Sequence, residues 1–375
     1  MMISDIEYNY SYFDSLILLD KSFAVYRLPG CDTMTFAMQQ ERTPEYLLQI
    51  SELNGMDGFV IAPFVASEKT PIVILHPDII LEGEKRILTF LKRETEASAC
   101  KPDLIPLMAY SPTNPYSIYK KAFKQFKTVL RLNTCKKIVL SRISERKKPL
   151  GFSAGKTFKA ACEAYPEAFV YLCHTPKTGT WFGSSPELLL SGEKTNWHTV
   201  ALAGTRKIST KEEQTQWDDK NIREQYIVTD YLGKQLHSHQ LDYTINGPYT
   251  TRAGQLMHLK SEFSFRMENS DKIGDLLESL HPTPAVCGFP KDKAYQLILD
   301  NEGYDRKYYS GFIGQISMKG KTDLFVNLRC MQIKPDILTL FAGGGLLPSS
   351  ELESEWEETE EKLQTMLSLI DFKND

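Results

Sequence analysis

The sequence predicts an α+β fold built on antiparallel-rich sheets, and three observations lead there. Short β-rich runs recur along the chain, bounded by Gly, Pro, Ser and Lys. Helical periodicity is confined to a few longer segments. The runs cluster between those helices without strict β-α-β alternation, which argues against a doubly wound parallel sheet. The runs fall at 58–63, 71–75, 137–142, 169–173, 181–183, 311–317, 324–328 and 337–341. The helices fall at 117–132, carrying Ala122, Phe123, Phe126 and Val129; at 218–239, carrying Ile222, Val228, Leu232 and Leu236; and at 351–370, carrying Leu363, Met366, Leu367 and Ile370. No repeat, linker or low-complexity tract marks a boundary, so residues 1–375 read as a single domain.

Bulk composition narrows the function classes. Hydrophobic residues are 42% and charged residues 25% of the chain, as in a soluble globular enzyme. The net charge of −4 comes with no large basic block, so nothing marks a nucleic-acid footprint. The 7 cysteines are scattered and never spaced C-x-x-C, which fits a reducing cytosol better than a disulfide framework or a zinc knuckle. The acidic, polar start is unlike a signal peptide, and the apolar stretches are too short to span a bilayer. The expectation is a cytoplasmic protein with no membrane contact.

The densest chemical signal is the glutamate-rich run ELESEWEETEEK at 351–362. An acidic run is usually a solvated helix face. Here Glu355, Glu358 and Lys362 share one face, and that face borders the apolar stripe through Thr359 and Met366. Carboxylates at the edge of a core need a cation, and a hard ion such as Mg²⁺ would serve. A second segment must complete such a site. Glu224 shares a helix face with Asn221, Val228 and Tyr231, though a plain pairing with Lys220 or Arg223 is the bland alternative. Capping-box patterns at Ser209–Glu212 and Thr210–Glu213 open that helical region.

Other segments stay ambiguous by themselves. Ala342-Gly343-Gly344-Gly345 is either an anion-approach loop or a turn ending a strand, and Ala203-Gly204-Thr205-Arg206 shares that ambiguity. Arg329 closes a strand-like run and either forks onto a carboxylate from the inward face or lies at the surface. Lys137 is a strand-edge charge or, with a lowered pKa, a base. Glu187 is a first-turn acid after Ser-Pro or, with a raised pKa, a proton donor. His237 and His239 diverge on a helix and make no zinc pair, no G-x-S-x-G elbow occurs, and Cys173-His174 read as core residues.

The segments KIVLSR, GSSPELLL, ALAGTRK, DDKNIREQ, HPTPAVCGFP, YDRKYYSGFIG, FVNLRC, FAGGGLLPSS and ESEWEETEEK occur in one order. In that order the chain resembles the chorismate-utilising enzymes: isochorismate synthases, salicylate synthases, anthranilate synthase component I and aminodeoxychorismate synthase component I. The resemblance covers about 120–370; residues 1–119 match weakly. It implies two large stacked antiparallel-rich sheets flanked by helices. It implies that Glu224 and Glu358 ligate Mg²⁺ directly and Glu355 through water, with Gly204 and Thr205 beside the ring carboxylate of chorismate. Tyr309, Arg329, Gly345 and Lys362 would hold the enolpyruvyl carboxylate, and His258 would face the ring.

Within the family, Lys137 stands where isochorismate and salicylate synthases carry the lysine that activates water, whereas ammonia-using anthranilate synthases usually have glutamine. Ala203 stands where aminodeoxychorismate synthases carry a nucleophilic lysine, in PIKGT rather than ALAGT. Glu187 matches the acid that protonates the departing C4 hydroxyl. Ala285 resembles isochorismate synthases, where salicylate synthases tend to have threonine. The resemblance thus implies a monomeric isochorismate synthase serving menaquinone or siderophore biosynthesis. The alternatives are a salicylate synthase or a silent chorismate-binding protein. Two departures stand out: Gln225 replaces the histidine that usually follows the metal glutamate, and Asn221 replaces a residue that is often acidic.

Overall fold

Alternating or continuously buried apolar runs form eighteen strands in the computed structural model, which describes residues 9–41, 43–97, 114–207, 216–253, 256–268, 270–317 and 320–372. The first six are β1 (Ser22–Arg27), β2 (Met34–Gln39), β3 (Glu45–Leu47), β4 (Gly58–Ala62), β5 (Ile72–Leu75) and β6 (Ile79–Glu82). Next come β7 (Lys137–Lys147), β8 (Phe169–Thr175), β9 (Gly179–Ser185), β10 (Leu188–Glu193), β11 (Asn196–Lys207) and β12 (Tyr243–Ala253). The last are β13 (Leu256–Arg266), β14 (Gly288–Phe289), β15 (Phe312–Ile316), β16 (Lys321–Val326), β17 (Cys330–Ile333) and β18 (Ile337–Leu346). The helices are α1 (Tyr12–Leu18), α2 (Glu84–Ala97), α3 (Pro115–Arg131), α4 (Ala154–Ala164), α5 (Asp219–Ser238), α6 (Ile273–Leu280), α7 (Lys291–Asn301) and α8 (Leu352–Leu367).

The strands pair antiparallel into two nine-stranded sheets. One runs β14-β7-β18-β17-β9-β8-β1-β2-β6 and the other β12-β13-β11-β10-β16-β15-β4-β5-β3. The early strands therefore join both sheets rather than forming a separate layer. Apolar side chains from both sheets interdigitate between them, with Tyr26, Phe169, Tyr171 and Phe341 from the first meeting Phe59, Ile313 and Phe325 from the second. Phe169 and Phe325 stack face to face with centroids 4.3 Å apart. Outside the first sheet, α1, α2, α4 and α8 cover a second apolar layer. Outside the other, α5 and α6 do the same. The expected α+β architecture of stacked antiparallel sheets is therefore the one observed. Among the described residues no helix is long and apolar enough to cross a membrane.

Local chemistry sets the ends of the functional helices. Asn114 caps α3 by accepting from Ser117 N–H, with Pro115 in the first turn, where a missing donor costs nothing. Asp218 caps α5 by accepting from Asn221 N–H at 2.8 Å. The capping boxes anticipated at 209–213 lie outside the described residues. Glu353 and Glu355 occupy the first turn of α8, where negative charge complements the helix dipole.

Several expectations need correction. Ile222, expected on the apolar stripe of α5, is 50% exposed, and Asn221 and Gln225 are buried. They face inward because each is hydrogen-bonded there, Asn221 through both ends of its amide and Gln225 through Nε2, which offsets part of the cost of burial. The run at 324–328 ends at Val326. Arg329 is therefore not on a strand face but in the link to β17, in the left-handed region with φ 47°. The glycines 343–345 do not end a strand as a loop or turn; they continue β18, paired with β7 through Gly343↔Ser141 and Gly345↔Val139. Glu187 opens no helix and lies between β9 and β10.

Candidate active site

The site forms where the end of β18, the start of β7, the bulge of β11 and helices α5 and α8 converge. The glycines of β18 make room for it. A Cβ on Gly345 would lie 2.2 Å from Glu224 Oε1 and 2.7 Å from Lys137 Cε. One on Gly344 would lie 3.3 Å from Glu355 Oε2 and 3.5 Å from Glu358 Oε1. One on Gly343 would lie 2.9 Å from the Tyr309 hydroxyl. The bare backbone thus receives carboxylates from two helices at once, and a side chain at Gly345 would force Glu224 and Lys137 to move.

Each of those carboxylates meets a lysine. Lys137, fully buried at the head of β7, brings Nζ to 2.8 Å from Glu224 Oε1, an ion pair without hydrogen-bond alignment. Lys220 Nζ donates to Glu355 Oε1 at 2.6 Å. Lys362 Nζ donates to Glu358 Oε1 at 2.6 Å and to Gly343 O at 2.9 Å. Burial works to raise the Glu358 pKa, but Lys362 and Lys220 outweigh it and hold the group below its ordinary value. Glu355 goes the other way: burial and the neighbouring Glu358 charge raise it, against the pull of Lys220.

Glu187 differs from all three. Burial pushes its pKa up to about 8, and Lys137, Lys362 and Arg329 only partly oppose that. At neutral pH it is a neutral acid able to donate a proton.

Thr205 and Gly204 sit at a bulge where the β11–β13 register shifts. Gly204 is left-handed, φ 70°, and a Cβ there would press on Asn221. Asn221 Oδ1 accepts from Thr205 N–H at 3.0 Å while its Nδ2 donates to Asp218 at 2.8 Å, clamping α5 to the bulge. His258 faces the same bulge with Nδ1 3.0 Å from Gly204 O, so Nδ1 carries the hydrogen and Nε2 presents a lone pair. That Nε2 is buried and has no hydrogen-bond partner among the described residues. Burial, with Arg329 and Lys362 nearby, lowers the His258 pKa to about 3, so the ring is neutral. Gln225 turns away from the carboxylates: its Nε2 donates to Ala201 O at 3.0 Å and Ser261 Oγ at 3.1 Å, fastening α5 to the sheet.

One cavity gathers these groups. Glu187, Gly204, Thr205, Glu224, His258 and Ala285 line it, as do Tyr309, Arg329, Gly345 and Lys362. Lys137 reaches it through Glu224, and Glu355 and Glu358 flank it behind Gly344. Every site residue anticipated from sequence is thus in or against one place. Sequence reasoning missed Lys220 as the partner of Glu355, and the apolar wall formed by Val139, Leu202, Val286 and Leu328. The wall had no readable signal, because its residues look like core. Sequence spacing shows Lys220 only partners along its own helix, not the carboxylate it reaches on α8.

The carboxylate cluster suits a hard divalent cation. Glu355 Oε2 is buried without a hydrogen-bond partner among the described residues, and oxygen donors from two helices meet at a backbone cleared of side chains. Among the described residues no group of three His, Cys, Asp or Glu side chains is arranged to hold a metal ion. Mg²⁺ does not require one, since it commonly keeps several waters and takes one or two carboxylates.

A fold of two stacked antiparallel sheets with this cavity at their junction defines a class. The family described as "Chorismate binding enzyme" matches residues 16–371, and the chain belongs to that family. It is 28% identical over 242 residues to isochorismate synthase EntC of Escherichia coli (strain K12), a match spanning 62% of this chain and 62% of that protein. Among solved structures it is similar to MenF, the menaquinone-specific isochorismate synthase from Escherichia coli, with TM-score 0.75 and 20% identity over 98% of this chain and 92% of that one. It is also similar to anthranilate synthase component I from Streptococcus pneumoniae TIGR4, with TM-score 0.65 and 18% identity over 92% and 89%. The likeness to these two structures shows the shared fold.

Proposed function

We propose that the chain is an isochorismate synthase that converts chorismate to isochorismate with Mg²⁺. The observation that carries this reading is the pairing of a buried amine with a buried neutral acid at one cavity. Lys137 supplies the amine, and Glu187, pushed up to about 8, supplies the acid. Lys137, once released from its ion pair with Glu224 as the neutral amine, removes a proton from water as it attacks C2 of the ring. The double bond shifts, and Glu187 gives its proton to the C4 hydroxyl as that leaves as water. One water is consumed and one released, so the product is an isomer. Ala203 offers no amine to compete with water as nucleophile.

Glu224 and Glu358 would ligate Mg²⁺ directly and Glu355 through water; the ion supplies charge neutralisation for the ring carboxylate. Arg329, Lys362, Tyr309 and Gly345 hold the enolpyruvyl carboxylate, Gly204 and Thr205 the ring carboxylate, and the neutral His258 accepts at Nε2 from the ring side. Similarity to isochorismate synthases over part of the chain supports the choice of product. The test is incubation with chorismate and Mg²⁺, with products separated by chromatography. Isochorismate should accumulate, and chelation should stop it until Mg²⁺ is restored. Salicylate with pyruvate, or no turnover at all, would overturn the reading.

A further inference from the structure

Glu302 and Arg306 form an ion pair withdrawn from water, at 2% and 3% exposure. Neither lines the cavity. A buried ion pair commonly gives no more stability than well-packed apolar side chains of similar size, so stability alone does not explain it. Its hydrogen bonds are what distinguish it. Glu302 takes Arg306 Nε on one oxygen at 2.6 Å and Nη2 on the other at 2.7 Å. Arg306 Nη1 then donates to Val286 O at 2.8 Å, and Nη2 to Val139 O at 2.9 Å. Glu302 Oε1 also accepts from both N–H and Oγ of Ser141 at 2.6 Å. The Arg306 guanidinium also lies 6.0 Å from the centroid of the Tyr309 ring, within cation–π range.

These contacts end on parts of the cavity. Val139 and Val286 line it, Val139 and Ser141 belong to the strand headed by Lys137, and Tyr309 is a wall of its own. We infer that the Glu302–Arg306 pair is a positioning device that fixes three walls of the chorismate cavity against one another: the Lys137 strand, the Ala285–Val286 loop and Tyr309. A planar guanidinium with donors at fixed angles can bridge two carbonyls and a carboxylate, which a lysine cannot. Both are positioning residues, acting through groups that meet substrate. The inference rests on the proposed reading of the cavity.

The test removes the pair without leaving one charge buried alone. Glu302→Met combined with Arg306→Met is compared with wild type for thermal unfolding, chorismate affinity by calorimetry, and kcat with Mg²⁺. In a folded double variant we expect kcat to fall about tenfold or more, and chorismate Kd to rise several-fold, because small misplacements of reacting groups are costly. A folded variant with both quantities within about twofold of wild type overturns the inference. If the double variant does not fold, Ser141→Ala decides, since it cuts one tie to the Lys137 strand and leaves the pair intact. A fall in kcat of about threefold with Kd unchanged supports the positioning role, and no change in either overturns it. Wild type that binds chorismate without turning it over would remove the proposed activity, and the Kd comparison in the double variant would then decide the inference.

Discussion

Glu187 and Glu358 are two carboxyl groups of one site held in opposite states. Burial raises both, yet Glu187 ends near 8 while Glu358 ends below its ordinary value. The difference is contact. Lys362 donates directly to Glu358 at 2.6 Å. The cations near Glu187 act from further off, and Lys137 Nζ is committed to Glu224 at 2.8 Å. Between these two, the lysine in hydrogen-bond range leaves the carboxyl an anion and the lysine held aside leaves it a proton donor; Glu355 shows that contact alone does not suffice, because burial and the Glu358 charge keep its pKa raised although Lys220 donates to it. The fold thus sorts identical side chains into roles by balancing burial, neighbouring carboxylates and the lysine each may touch.

The sharpest way to break that contrast is Lys137→Ala. It removes the base and should cut kcat by roughly 10²–10⁴-fold while chorismate still binds, as single-turnover rates and calorimetry would reveal. Glu187→Gln keeps the shape and abolishes the transferable proton. Turnover should drop by roughly 10²-fold with Kd little changed, and a near-normal rate would take Glu187 out of the mechanism. In wild type the acid is protonated below about 8 and is lost as pH rises through that value. The kcat profile should therefore fall on the alkaline side by about tenfold per pH unit, and a flat profile to pH 9.5 or so would show that the proton comes from elsewhere. The smallest effect belongs to Asn221→Ala. It frees Thr205 N–H and costs about 1 kcal/mol of local order, a several-fold rise in chorismate Kd with kcat nearly intact.

Much of this was legible in the sequence because chemistry left an unusual pattern. Glu355 could be placed at the buried edge of α8 from its spacing to Thr359, Leu363 and Met366, all of which are buried. The strands carrying Lys137 and the glycines were readable from β-branched and aromatic runs, although their ends ran several residues further, to Lys147 and Leu346. Roles for Lys137, Glu187 and Arg329 were not readable from pattern. Each sits where a surface charge would look the same, and the ordered motifs of the family singled them out. What stayed hidden depends on tertiary contact alone. Ile222 looked like core and faces outward, because Asn221 and Gln225 found backbone partners inside. Lys220 crosses to α8 rather than pairing along α5, a choice that only packing decides.

The glycine stretch of β18 has a practical consequence for anyone dissecting this cavity. Along that strand the carboxylates of α5 and α8 stand in for the side chains the backbone lacks, so they are filler as well as charge. Trimming Glu224 or Glu358 to alanine would open a void beside bare backbone and let the strand settle into it. The resulting loss would mix collapse with altered electrostatics. Glu224→Gln and Glu358→Gln keep the volume, so amide replacements, not alanine scanning, are what can separate the two.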